Sequence, residues 1–87
     1  MLKEILLKKI LYKSSNRGWK ENDILLGEFT KENAHLMNED QLKKLDQLLD
    51  QSDVDLFSWI TKKTSVPKNI DNEVMTMLQK YQYKSFS

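Results

Sequence analysis

Apolar residues recur along this chain at intervals of three and four, and nowhere alternate with polar ones for long enough to suggest a strand. Five stretches carry the helical spacing. Over about residues 2–14, Leu2, Ile5, Leu6, Ile10 and Leu11 are expected on one face with lysines opposite. The polar run Ser14-Ser15-Asn16, followed by Gly18, is a natural break. A second helix is expected to start near Gly18 and run toward His35, with Leu25, Leu26 and Phe29 pointing inward. Asn33 and Asn38 both invite its end. Asn38 followed three residues later by Gln41 has the form of an N-cap with a capping-box partner, and Glu39 and Asp40 suit the positive end of a helix. The third helix then carries Leu42, Leu45, Leu48 and Leu49. Ser52-Asp53-Val54-Asp55 is the next start signal, leading into a short fourth helix with Leu56, Phe57, Trp59 and Ile60. Pro67 closes that region, and Asn69 is read as the cap of a fifth helix bearing Ile70, Val74, Met77, Leu78 and Tyr81. Residues 83–87 are expected to form a loose tail.

Connections this short fold neighbouring helices back on each other. The predicted architecture is therefore all-α: a compact bundle of about five short helices making a single domain over residues 1–87. Residues 1–16 hold the first helix and its exit, and 17–23 the stretch discussed below. No internal repeat or low-complexity tract interrupts the pattern.

Composition narrows the function classes. The chain has no cysteine, which removes disulfides, thiolate metal sites and a cysteine nucleophile together. No run of 18 or more apolar residues is present to span a membrane. The net charge of +1 hides a strong asymmetry: residues 1–20 hold six Lys or Arg against one acid, residues 21–60 three against ten, and residues 61–87 five against two. A nucleic-acid binder is expected to be basic throughout or along a stripe, so the acidic middle favours a protein partner.

Candidates for chemistry are few. His35 is the single histidine, and a surface or packing role is the simpler account of it. Asp53 and Asp55 lack the glycine and the later ligands of a calcium loop, and helix capping explains them better. Gly18 and Gly27 stand apart, so no phosphate-cradling loop exists. Met37, Met75 and Met77 are read as core filler. The lysines of the first helix could meet an anionic surface, but a core helix with solvated lysines is the simpler account. No catalytic, cofactor-binding or metal-binding residue is assigned.

Residues 17–23 stand out. Glycine is poor for a helix start but lets another backbone approach closely. Arg17 and Glu21, four apart, are expected on one side of that start, offering a forked donor and a carboxylate beside the bare Gly18. Trp19 flanks them, and Asp23 can orient Arg17 or a neighbouring helix. Local physics allows a docking patch or an ordinary helix end with one internal ion pair.

Arg17-Gly18-x-x-Glu21-x-Asp23 resembles the signature of the succinate dehydrogenase assembly factors that promote FAD attachment. Ile24-Leu25-Leu26-x-x-Phe29 resembles the apolar half of that family's second helix. Leu42-x-x-Leu45-Asp46-x-Leu48-Leu49 resembles its third, and Asp53-x-Asp55-Leu56-Phe57-x-Trp59 its aspartate-rich turn and aromatic helix. Asn72-Glu73-Val74-Met75 resembles the start of its last helix. Together the blocks cover roughly residues 10–81 in the same order. The family often has a second basic residue where this chain has Asn16, and methionine where it has Trp19.

The resemblance implies a non-enzymatic helper that binds the flavoprotein subunit of succinate dehydrogenase or fumarate reductase. There it favours the covalent bond between a histidine of that subunit and the 8α-methyl carbon of FAD. FAD is then the partner's cofactor, and the helper holds none stably. It implies a partner-binding site at Arg17, Gly18, Trp19, Glu21 and Asp23, in a monomer. Relatives also labelled antitoxins or regulators supply the alternative, an inhibitory binding module, and a small nucleic-acid-binding domain is the third reading. The first helix uses most of the 16 residues ahead of Arg17. The bacterial cytoplasm is therefore expected, with the mitochondrial matrix as the second compartment.

Overall fold

A computed structural model describes the backbone of residues 2–15 and 17–86 and the side chains of residues 2–15 and 17–82. Five α-helices follow one another, α1 (Leu2–Ser15), α2 (Lys20–Asn33), α3 (Glu39–Leu49), α4 (Asp53–Ile60) and α5 (Glu73–Phe86). Short 3-10 turns at Ala34–Leu36 and Lys68–Ile70 precede α3 and α5. No strand occurs among the described residues, so the all-α bundle expected from the periodicity is what forms. α1 lies against α2 and α3, α5 against α3 and α4, and α2 also touches α4 and α5. One continuous apolar cluster fills the space between them.

Capping residues set most of the boundaries. The Asn38 side chain accepts from the Gln41 amide at 2.8 Å while the Gln41 side chain accepts from the Asn38 amide at 3.1 Å, the reciprocal pair expected at the start of α3. Leu42, Leu45, Leu48 and Leu49 are all buried behind it. Ser52 caps α4 by accepting from the Asp55 amide. At the far end of α4, Lys62 adopts a φ of 63°, where glycine is usual. That turn lets the Lys62 and Lys63 amides close back on the carbonyls of Trp59 and Ser58.

Three expectations need correction. Helix α2 begins at Lys20, with an extended Trp19 ahead of it, and not at Gly18. The cap of α5 is Asn72, whose side chain accepts from the amides of Val74 and Met75 at 3.0 and 3.1 Å. Asn69 lies inside the 3-10 turn that follows Pro67, because the extended proline spends three residues on that turn before the helix can start. In α1, Leu2 and Ile5 are 57% and 67% exposed and Leu11 is exposed too, whereas Ile10 and Ser14 are buried with Leu6 and Leu7 packed beside them. The five apolar positions read as one face span about 240° of the helix circumference at 3.6 residues per turn. Two neighbouring helices cover only part of that arc. The backbone of α5 continues through residue 86, and the side chains of the expected tail, 83–87, lie with Asn16 outside the described residues.

Charge follows the packing. Lys13 of α1 reaches Asp46 and Asp50 of α3 at 2.8 and 2.5 Å, and Lys9 reaches Asp46 at 3.3 Å. The basic start and part of the acidic middle of the sequence therefore neutralise each other inside one molecule. Burial alone would raise the Asp46 carboxyl. The hydrogen bonds and charges of Lys13 and Lys9 outweigh that and hold it below the usual carboxylate range.

Candidate docking face

The segment joining α1 to α2 is held by Arg17, and the guanidinium points inward. Its Nε donates to Asp53 Oδ1 at 2.5 Å, Nη1 to the Leu49 carbonyl at 2.8 Å and Nη2 to the Gln51 carbonyl at 2.8 Å. The Leu49 carbonyl closes α3, where the helix has no partner of its own to offer and the dipole favours a cation. Asp53 opens α4, where a carboxylate is favoured. One planar fork thus ties the start of α2 to the end of one helix and the beginning of the next. Only 9% of the Arg17 side chain remains exposed.

Asn22 completes this latch. It is fully buried, and its Nδ2 donates to the Asp53 carbonyl at 2.9 Å and to Asp53 Oδ1 at 3.1 Å. Burial pushes the Asp53 carboxyl up, yet the hydrogen bonds of Arg17 and Asn22 and the charge of Arg17 outweigh it, leaving the group below its ordinary range. Asp23 accepts from the Arg17 backbone amide at 3.4 Å, a weak contact that helps seat the loop.

The internal ion pair of Arg17 with Glu21, one of the two arrangements that the local spacing allows, does not form, because Arg17 precedes the helix and is committed to α3 and α4. Glu21 is left exposed, with no hydrogen-bond or ion-pair partner among the described residues. Gly18 is exposed as well. A Cβ added there would meet no atom within 4 Å, and its φ is an ordinary negative one, so neither space nor backbone in this fold demands glycine.

Beside them Trp19 is half-buried, its ring tilted 41° against Phe57 of α4 at a centroid distance of 5.1 Å. Glu21, Leu25, Phe57 and Gln82 line a cleft of about 160 Å³. Of the five residues singled out from sequence, Gly18, Trp19 and Glu21 therefore share an open face. Arg17 is turned inward to the junction of α3 and α4, and Asp23 to the loop before α2.

Asn22, Asp53 and Phe57 belong to the same arrangement and were not assigned to it from sequence. Asn22 did leave a signal. It stands three, four and seven residues before Leu25, Leu26 and Phe29, a polar residue on the inward stripe, and such a residue must find a hydrogen-bond partner in the core.

A family model described as flavinator of succinate dehydrogenase matches residues 8–82. The chain is similar to succinate dehydrogenase assembly factor 2, mitochondrial, of Dictyostelium discoideum, with 47% identity over 76 residues covering 87% of this chain and 54% of that protein. It is 39% identical to the protein of the same name from Danio rerio over 80 residues, 90% of this chain and 51% of the relative. The Caenorhabditis elegans protein is 39% identical over 66 residues, 74% and 56% of the two chains. The chain spans about half the length of the curated relatives it matches. It belongs to the family of succinate dehydrogenase flavinators, whose model runs through both the latch and the open face it supports.

Proposed function

We propose that this chain is an assembly chaperone that docks on the flavoprotein subunit of succinate dehydrogenase, or of the related fumarate reductase, and promotes covalent attachment of FAD to it. The observation that carries the reading is Gly18. Its surroundings are empty and its backbone ordinary, so the fold gives no reason for a glycine at an exposed position. A partner's backbone brought close to it is a reason. Family membership supplies the client.

In this reading Gly18, Trp19 and Glu21 touch the client, while Arg17 and Asp23 act through the loop they brace. Glu21 brings a carboxylate without a partner among the described residues, able to accept charge-assisted hydrogen bonds. Trp19 brings a rigid aromatic surface held by Phe57. The helper contributes no catalytic group. Binding restrains the client so that its own histidine and flavin meet, an orientation effect of the kind that intramolecular reactions exploit. The word mitochondrial in the relatives' names supports the matrix over the bacterial cytoplasm as the working compartment.

The test is direct because the two key positions are structurally free. Gly18→Arg and Glu21→Ala should each abolish capture of the purified flavoprotein subunit while leaving the helical circular dichroism and melting temperature unchanged. Binding that survives both substitutions refutes the proposed face.

A further inference from the structure

The docking face does not end at Glu21. The small cleft it borders shares Gln82 with a second cleft of about 340 Å³ between the end of α4 and α5, flanked by Lys62 and Lys80. That cleft shares Lys62 and Gln79 with a third of about 290 Å³, which adds Lys63, Thr64 and Ser65. The shared walls make one groove along the seam of α4 and α5.

Its charges are sorted by end. Glu21 is the acid at one end, and Lys62 and Lys80 are the cations at the other, while the side chain of Lys63 reaches back toward Phe57 in the wall of the Glu21 cleft. Some lysines meet acids inside the molecule, as Lys9, Lys13 and Lys44 do with those of α3 and α5, while others, Lys3, Lys8, Lys20, Lys31 and Lys68, form no ion pair among the described residues. The groove charges belong to the second group. Among the described residues neither Glu21 nor Lys62 nor Lys80 forms an ion pair, and the Lys63 ammonium rests 5.4 Å above the Phe57 ring centroid. A free anion would have no use for the Glu21 end, and a nucleic-acid strand would be repelled by it.

The acidic end also has a size. At about 160 Å³ the cleft falls below the range of roughly 300–1,000 Å³ found for small-molecule sites. With Leu25 and Phe57 in its walls and a carboxylate at its rim, it suits a single side chain with an aliphatic stem and a cationic tip.

We infer that this groove receives one segment of the client flavoprotein, oriented by charge. A lysine or arginine of the client enters the Glu21 cleft, and acidic side chains of the same segment lie over Lys62 and Lys80. The inference rests on the docking reading above and extends it to a second, basic contact at the opposite end of the groove. Paired charges of opposite sign at two ends fix the direction in which the segment lies, and so supply specificity as well as affinity.

The experiment is a titration of the full chain against the flavoprotein subunit lacking covalent FAD, at low and raised salt. It compares Glu21→Lys, the pair Lys62→Glu with Lys80→Glu, and Gly18→Arg, each checked for an unchanged melt. Reversing either end should weaken binding by about tenfold or more at low salt, and the loss should shrink as salt is raised. Suppose Gly18→Arg abolishes binding but reversal of the lysines leaves it within about twofold of the parent, or strengthens it. The basic end is then not a contact, and the inference falls while the docking face stands. If Gly18→Arg and Glu21→Lys both bind as the parent does, the face falls and the groove with it.

Discussion

Replacing Arg17 by alanine is the sharpest test of the structure, because it separates a brace from a contact. The side chain is nearly buried and makes three hydrogen bonds, one to a carboxylate and two to carbonyls. Hydrogen bonds involving a charged group contribute about 1.5–3 kcal/mol each, and losing one partner of a buried ion pair costs about 3–5 kcal/mol. Both figures need discounting here. Asp53 is 24% exposed, keeps its hydrogen bond from Asn22 and can recruit water. We expect a net loss of about 2–4 kcal/mol, a large share of the roughly 4–13 kcal/mol available to a domain of this size. The melting temperature should fall by about 10–25 °C. Arg17→Lys keeps the charge but cannot bridge three acceptors with a planar fork, so it should recover only part of the loss. Urea unfolding followed by circular dichroism at pH 7 measures the effect, and a double-mutant cycle with Asp53→Ala isolates the pair, with a coupling of about 1–3 kcal/mol expected. An Arg17→Ala protein within about 0.5 kcal/mol of the parent that has still lost the client would refute the reasoning. The arginine would then be a client contact and not a brace.

Two further outcomes follow from the same geometry. Gly27 lies in the interior of α2 with room for a methyl group, since a Cβ there would sit 3.7 Å from the Ser14 carbonyl oxygen. Gly27→Ala should therefore raise stability by up to about 1 kcal/mol in the same unfolding assay, and a loss would mean that α1 and α2 cannot yield the space. Acid should unfold the protein through Asp46 and Asp53, both held below their ordinary range in the folded chain. Above the unfolded value of about 3.9 both are ionised and their contribution is complete; as pH drops the unfolded chain takes up protons first, and the contribution is gone once the folded values are passed. Asp53→Asn should flatten the stability profile below about pH 4, and an unchanged slope would remove Asp53 from the account.

How legible the protein was depends on the range of the interaction involved. The capping box at Asn38 and Gln41, the Ser52 cap and the leucine stripe of α3 were readable because each is decided within one turn of helix. The order of the signature blocks pointed to the family before any contact was known, and the family model agrees with it. The start of α5 was misread at Asn69 because the 3-10 turn after Pro67 competes for the same residues, and propensity alone does not rank two nearby caps.

The sequence by itself determined the five helices and the leucine stripe of α3, and it singled out the stretch at 17–23, since all of these are short-range patterns in residue type. Tertiary structure alone decided what the residues of that stretch do. Arg17 and Glu21 look like partners at four-residue spacing, but Asp53 lies 36 residues away from Arg17 in the chain and captures the guanidinium, because two helix ends meet there and both favour what it brings. That capture leaves Glu21 without a partner among the described residues, beside a glycine the fold does not need. The same holds for charge: α3 takes Lys9 and Lys13 of α1 into its ion pairs, while Lys62 and Lys80 stay open beside the groove. Which charges are spent internally and which remain for a partner is a property of three-dimensional neighbours, and no spacing along the chain encodes it.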